Sequence, residues 1–309
     1  MKLMNILHMK YAVEVARAGS LNKAAESLYV ALPNLSRSIR ELEAHLGVTI
    51  FDRSAKGMTL TPEGEEFIGY ARGILRQIDQ VEKLYKGDAP GKQKFSISVP
   101  RACYISDAFA RFSTLLADAP AELYYKETNS KRTIANILDH DYRLGIIRYA
   151  ENYDSYFKTM LEEKGLACEM VTEFTYVLVV GKDSPLAQKE EITVPDLQGY
   201  TEIAHADPYV PSLPSAKVFK EEHPDSIERR IFVFERASQF ELLSQNPRTF
   251  MWMSPVPAHI MERCGLVEKR CPENRKVYRD MLIHRRDYKL TELDRLFLSE
   301  LHKSKQNIL

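Results

Sequence analysis

Pro33, Asn34, Ser36, Arg37 and Arg40 fall within eight residues, and their types suit contact with a polyanion. At 100° per residue, Leu35, Ile39, Leu42 and Leu46 lie within about 40° of one another and form the buried stripe of a helix. Pro33, Ser36, Arg37 and Arg40 are left mostly on the other side. An arginine fork fits guanine O6 and N7 or a phosphate oxygen, and serine or asparagine reaches either kind of acceptor. Arginines on a helix are also ordinary for a solvated face, so this spacing alone leaves both readings open. Two further cations, Arg53 and Lys56, stand between the short apolar segments of Val48–Thr61, which read as a β-wing with its turn at Arg53–Gly57. A wing beside such a helix offers positive charge to backbone phosphates.

The elements that must position these groups follow from periodicity and breakers. Apolar residues recur at helical spacing from Asn5 to Ala18, Gly19 stops that helix, and Ser20 is expected to cap the next, Leu21 to Leu28. After an interruption at Tyr29–Ala31, Leu32-Pro33 opens the third helix, where proline is tolerated in the first turn. Short helix, tight turn and a second helix carrying Ser and Arg outward place side chains against a major groove. Thr61-Pro62 then caps and opens a long helix. Its residues Phe67, Ala71, Ile74, Ile78, Val81 and Tyr85 are spaced 4, 3, 4, 3, 4, the seam of a coiled coil. That seam predicts a homodimer presenting paired recognition helices, the alternative being an amphipathic helix packed on its own domain. The breaker-rich stretch Gly87–Gly91 follows as a linker.

Beyond the linker, strands and helices alternate as in a βαβ sheet: strand 95–99, a helix at Ile105–Leu115, strand 123–127, helix 132–138 and strand 143–147. A second lobe is expected to begin near Ala167, with strands at 174–181, 230–235 and 249–253 and helices at 215–222, 237–245 and 258–263. Strand 276–286 and a helix capped by Thr291 with Asp294 return to the first lobe. Ligands bind at the carboxyl ends of strands in such sheets, so Arg101, Cys103, Tyr104, Thr128, Asn129 and Arg148 are the candidate cleft residues. Arg101 or Arg148 could pair with an anionic small molecule. Cys103, at a helix start, raises a thiol redox-sensor alternative.

The run Gly19-Ser-Leu-Asn-Lys-Ala-Ala-Glu-Ser-Leu-Tyr-Val-Ala-Leu-Pro-Asn-Leu-Ser-Arg-Ser-Ile-Arg-Glu-Leu-Glu43, then Leu46-Gly47, Phe51-Asp-Arg53 and Leu60-Thr-Pro-Glu-Gly64, resembles LysR-type transcriptional regulators in residue type, spacing and order. The resemblance implies an α+β multidomain chain: an N-terminal winged helix-turn-helix, a long linker helix and a C-terminal two-lobed α/β effector domain of periplasmic-binding-protein type. On this chain those parts fall at 1–60, 61–87, a hinge at 88–93, and 94–309. Lobe I takes about 94–166 and 270–309, and lobe II about 167–269. The implied partners are double-stranded DNA, further copies of the chain in a homodimer or homotetramer, and a small-molecule effector. Leu32, Pro33, Asn34, Ser36, Arg37, Arg40, Arg53 and Lys56 are the expected DNA-contacting residues. The chain departs from the family's usual Ser-Gln before the proline, carrying Ala31-Leu32, so Leu32 meets a thymine methyl or tucks into the core, and Asn34 takes over polar readout. Arg143 and Asn246-Pro-Arg248 are further departures in the effector part, where loss of small-molecule response is an alternative.

Composition fits this division. The 309 residues carry 43 Lys+Arg against 43 Asp+Glu, which excludes a uniformly basic nucleic-acid packer. Residues 1–60 nevertheless hold eight basic against five acidic side chains. No G-x-G-x-x-G turn, P-loop, G-x-S-x-G elbow or H-E-x-x-H helix occurs, so an α/β enzyme is not expected and no catalytic residue is assigned. Cys103, Cys168, Cys264 and Cys271 form no C-x-x-C pair, and no metal or cofactor is expected. The apolar stretch Tyr176–Val180 is far short of the roughly 18 residues of a membrane helix. The N-terminus lacks a signal-peptide core, so a soluble cytoplasmic protein without membrane contact is expected.

Overall fold

The computed structural model describes residues 4–54, 57–85, 92–116, 120–207, 227–306 and 308, without the side chains of 53, 54, 76, 79, 80 and 82–85. The chain forms two compact units, Met1–Gly91 and Lys92–Leu309.

In the first unit, α1 (Ile6–Ala18), α2 (Leu21–Leu28) and α3 (Leu32–Leu46) precede a hairpin of β1 (Phe51–Ser54) and β2 (Gly57–Leu60), and α4 (Pro62–Tyr85) ends it. Asn5 caps α1 by accepting from the Leu7 amide at 2.9 Å. Ser20 precedes α2 as expected, but its hydroxyl makes no cap bond. Ala12, Val15, Ala24, Leu35, Ile39 and Leu42 meet in one core with Ile50 and Phe51 of the wing and Ile68 of α4. The wing's register runs from Phe51 opposite Leu60 to Ser54 opposite Gly57. It is tied down by the Met58 amide, which donates to the Gly19 carbonyl at 3.0 Å. A Cβ on Gly57, whose φ is +118°, would meet that same carbonyl oxygen at 2.7 Å. Thr61 Oγ1 donates to the Thr49 carbonyl at 2.6 Å and accepts from the Gly64 amide at 2.9 Å, so the cap of α4 also fastens the helix to the wing.

Phe67 packs partly against this core and Ala71 is fully buried, so the first third of the long helix is spent on its own unit. Ile74 and Val81 are 40% and 56% exposed, and Ile78 is half-buried. The expected seam is therefore divided: its first two members serve the local core, and the open apolar surface begins at Ile74. The Tyr85 side chain lies outside the described residues.

Among the described residues, the second unit holds two five-stranded sheets. The first comprises β3 (Gln93–Val99), β4 (Ala121–Glu127), β5 (Leu144–Ala150), β6 (Leu166–Thr175) and β12 (Val277–Arg285), in the order β4-β3-β5-β12-β6. β3 pairs in parallel with β4 and β5, whereas β12 runs antiparallel to β5 and β6. Packed with it are α5 (Cys103–Thr114), α6 (Ser130–Asp139), α7 (Asp154–Glu163) and α10 (Glu292–Gln306). The second sheet comprises β7 (Val177–Gly181), β8 (Thr201–His205), β9 (Arg230–Val233), β10 (Thr249–Met253) and β11 (Leu266–Lys269), in the order β11-β7-β10-β8-β9, with α8 (Arg236–Gln245) and α9 (Ala258–Cys264).

The crossing between sheets corrects the boundary expected near Ala167. β6 stays in the first sheet, paired with β12 through Thr175, and the chain passes over at Tyr176. The expected continuous strand 174–181 is thus two strands in different sheets. β8, β11 and α7 were not foreseen, and the expected helix 215–222 lies outside the described residues. Thr291 and Asp294 form the expected reciprocal cap: the Thr291 amide donates to Asp294 Oδ2 at 2.7 Å and the Asp294 amide to Thr291 Oγ1 at 3.3 Å.

Candidate functional site

In the first unit, α3 carries the candidate nucleic-acid interface. Leu35, Ile39 and Leu42 are buried at 1% exposure or less. The helix is thereby fixed with Leu32, Pro33, Asn34, Arg37 and Arg40 facing outward and Ser36 half-buried. Leu32 is 40% exposed, so it is not tucked into the core. Arg37 Nε lies 2.8 Å from Glu41 Oε1, an exposed pair on the same face, and Arg40 Nε donates weakly to the Ser36 carbonyl at 3.4 Å. Both guanidiniums therefore sit in solvent on short intrahelical contacts that a phosphate can displace. Glu43 is used differently: its carboxylate accepts from the amides of Ile50 and Phe51 at 2.8 and 3.2 Å, holding the wing against α3. β1 carries Arg53 at the wing, with its side chain outside the described residues, and Lys56 lies wholly outside them.

In the second unit, a cleft of about 400 Å³ opens where the two sheets face each other. Arg101, Thr128, Asn129 and Arg148 line it from the first sheet's strand ends, as expected. Cys103 and Tyr104 do not line it. Both side chains turn into the protein at 1% exposure or less, because the first turn of α5 packs them inward. Burial pushes the Cys103 thiol up to about 11, even with Arg236 Nη1 at 3.9 Å, opposite to what a redox-sensing thiolate requires.

The two cleft arginines are already neutralised by carboxylates that sequence reading had not singled out. Arg101 donates to Asp207 Oδ1 and Oδ2 at 2.8 and 3.3 Å. Asn129 Nδ2 adds bonds to the Asp207 carbonyl and Oδ2 at 3.2 and 3.3 Å, while its Oδ1 caps α6 through the Arg132 amide. Arg148 makes a fork to Asp280, Nε to Oδ1 and Nη2 to Oδ2, each 2.7 Å, and Tyr104 donates to the same carboxylate at 2.5 Å. Burial opposes the charge on Arg148, yet Asp280 keeps its pKa raised. The Arg148 guanidinium also lies 4.8 Å from the Phe174 ring centroid. Both arginines expected to face an anionic ligand thus already meet an internal carboxylate, Arg101 on Asp207 and Arg148 on Asp280.

His205, at the end of β8, stands in the cleft wall with Nδ1 enclosed and without a hydrogen-bond partner among the described residues. Burial first, then Arg101, pushes its pKa down to about 4 against the opposing pull of Asp207, so the ring is neutral near pH 7. Trp252, Tyr176 and Tyr278 add aromatic surface, the two tyrosines stacked at 4.2 Å between centroids. Asp280 had one legible signal, a charge interrupting the apolar β12; Asp207 and His205 had none. Links besides Arg101–Asp207 join the two sheet systems: Arg236 Nε to Glu127 Oε1 at 2.8 Å and His259 Nε2 to Asp107 Oδ1 at 3.1 Å. Among the described residues no group of acidic, cysteine or histidine side chains is placed to hold a metal ion, and no helix is long and apolar enough to cross a membrane.

The first unit holds a helix-turn-helix with a wing, and the second holds two sheets with a cleft where they face each other. Residues 6–65 match the family model described as bacterial regulatory helix-turn-helix protein, lysR family. Over 98 residues the chain is 45% identical to the uncharacterized HTH-type transcriptional regulator YcgK of Bacillus subtilis, covering 31% of this chain and 30% of that protein. Over 199 residues it is 29% identical to the HTH-type transcriptional regulator AlsR of the same species, covering 63% and 62%. The chain thus matches less than two thirds of the length of these curated relatives. A crystal structure of ArgP from Mycobacterium tuberculosis shares the fold, with a TM-score of 0.63, 14% identity and 99% of each chain covered. Residues 6–65 thus carry a helix-turn-helix segment of the LysR-family type, and AlsR, 29% identical over 199 residues, extends that likeness beyond it.

Proposed function

We propose that this chain is a sequence-specific regulator of transcription that binds double-stranded DNA through α3 and the wing and is modulated by a small molecule held in the cleft. The observation that carries the reading is the outward face of α3, with Pro33, Asn34, Arg37 and Arg40 in solvent within the segment that matches the family's DNA-binding model. Leu32, Ser36, Arg53 and Lys56 complete the contact set. Residues 1–60 act as the DNA-binding head, 61–87 as the pairing helix and 88–93 as the hinge. Residues 94–309 form the effector domain, its lobes divided at Tyr176. Exposed Ile74 and Val81, a heptad apart, support pairing of two copies along α4, and two such pairs give the tetramer.

The cleft's volume supports a retained ligand response. With Arg101 and Arg148 each matched to a carboxylate, the reading favours a ligand without net negative charge, contacting Thr128, Asn129 and His205. A thiol-sensing mechanism has no support from a buried Cys103. Ligand binding that favours one arrangement of the lobes shifts the population of DNA-binding arrangements.

The test is a gel shift at rising salt with DNA flanking the chain's own gene, comparing wild type with Arg37→Ala/Arg40→Ala. Affinity is expected to fall at least tenfold, and the log–log salt slope to drop by roughly one for each phosphate contact removed. An unchanged affinity overturns the assignment of α3.

A further inference from the structure

Tyr29 ends α2 with φ +54° and is the one non-glycine residue at positive φ among the described residues. Its conformation is imposed by the turn into α3: its amide donates to the Glu26 carbonyl at 3.2 Å, and the next amide, Val30, to the Ala25 carbonyl at 3.0 Å. Any residue here must be left-handed, a conformation that glycine or asparagine adopts with least strain. A bulky aromatic in that position is strained, and strain of this kind persists where something else offsets it. Burial does not, because the Tyr29 side chain is 96% exposed. No hydrogen bond or ring contact engages it among the described residues. Only Val30 separates Tyr29 from the exposed Ala31, Leu32, Pro33 and Asn34, where the positive end of α3 begins.

We propose that Tyr29 is a further DNA-contacting residue, its ring against a deoxyribose and its hydroxyl donating to a backbone phosphate oxygen beside the groove that α3 enters. Tyrosine is among the side chains that make such positioning contacts, and a phosphate contact carries no sequence preference. The proposal rests on the DNA-binding reading above and adds a residue to it. It also accounts for tyrosine, and not glycine, at the turn: the aromatic serves the bound state at the expense of the free one.

The experiment uses the full chain and an operator selected from random-sequence DNA by the wild type. Tyr29→Phe, which keeps the ring, is expected to weaken binding about threefold to thirtyfold, by the same factor on the operator and on unrelated DNA. Tyr29→Gly is expected to weaken it at least as much while its Tm stays at or above that of the wild type, because the turn is relieved. Replacing one phosphate per half-site by a neutral methylphosphonate then costs the wild type this factor and costs Tyr29→Phe nothing further. Wild-type affinity in Tyr29→Phe, or a parallel fall of Tm and affinity in Tyr29→Gly, overturns the proposal. Failure of the wild type to select any DNA overturns the DNA-binding reading and the proposal with it, a result distinct from selection with no effect of Tyr29.

Discussion

Asp207 and Asp280 already occupy the forks of the two cleft arginines. A guanidinium already forked to a carboxylate gains little from a second anion, which must also face the first. His205 offers the complementary chemistry, a neutral ring with one nitrogen unpaired among the described residues. Its folded pKa of about 4 lies below the ordinary value near 6.5, so between these limits the unfolded chain binds a proton that the folded chain does not. Stability is therefore expected to fall as pH drops from about 6.5 to about 4, with a slope approaching about 1.4 kcal/mol per pH unit. Denaturant unfolding across that range should give a shallower slope in His205→Gln; equal slopes would mean that His205 is not held neutral. Cys103 gives a second expectation at this scale. With its thiol buried and pushed up to about 11, native protein at pH 7.5 should leave Cys103 unalkylated while half-buried Cys264 reacts. Rapid modification of Cys103, read by peptide mass spectrometry, would contradict its placement.

At the scale of elements, β12 is the strand on which the first sheet depends. It lies between β5 and β6, and its Asp280, at 0% exposure, holds Arg148 of β5 and Tyr104 of α5. Removing one partner of such a pair leaves an uncompensated buried charge. Asp280→Ala is therefore expected to cost about 3–5 kcal/mol, and Asp280→Leu combined with Arg148→Met much less. Equilibrium unfolding checks both variants; equal losses would show that packing, and not the isolated guanidinium, sets the cost. In the first unit the comparable junction is Gly64, where an added Cβ would lie 2.1 Å from the Ile50 carbonyl oxygen. Helix α4 and the wing meet there backbone to backbone.

At the scale of the whole molecule, charge and apolar surface are divided by task. The basic excess lies in the first sixty residues, although the chain sums to zero. The exposed part of the α4 seam begins where contact with the unit's own core ends. Ile74→Glu with Val81→Glu is expected to give a monomer by sedimentation and to weaken operator binding by at least tenfold, since each copy then holds a single half-site. Phe67→Ala, by contrast, is expected to lower Tm through loss of core packing with little change in assembly. An unchanged sedimentation coefficient in the double glutamate variant would place the pairing surface elsewhere.

The helices of the first unit were legible because their information is local. Apolar spacing at Leu35, Ile39 and Leu42 and the breakers at Gly19 and Pro33 act within a few residues. The family motif of residues 19–64 is likewise contiguous. The strand order of the second unit was only partly legible: β6 and β7 read as one stretch, because periodicity cannot say which sheet a strand joins. Tyr29 read as a mere interruption, since strain and exposure at a turn exist only once the flanking helices have closed around it. The amino-acid sequence by itself determined the winged helix-turn-helix, the long helix and the α/β character of the remainder, each set by short-range pattern. Tertiary structure alone decided the charge of the cleft, because Asp207 lies 106 residues from Arg101 and Asp280 lies 132 from Arg148. Those pairings arise from chain crossings between and within the sheets, and no local pattern encodes them.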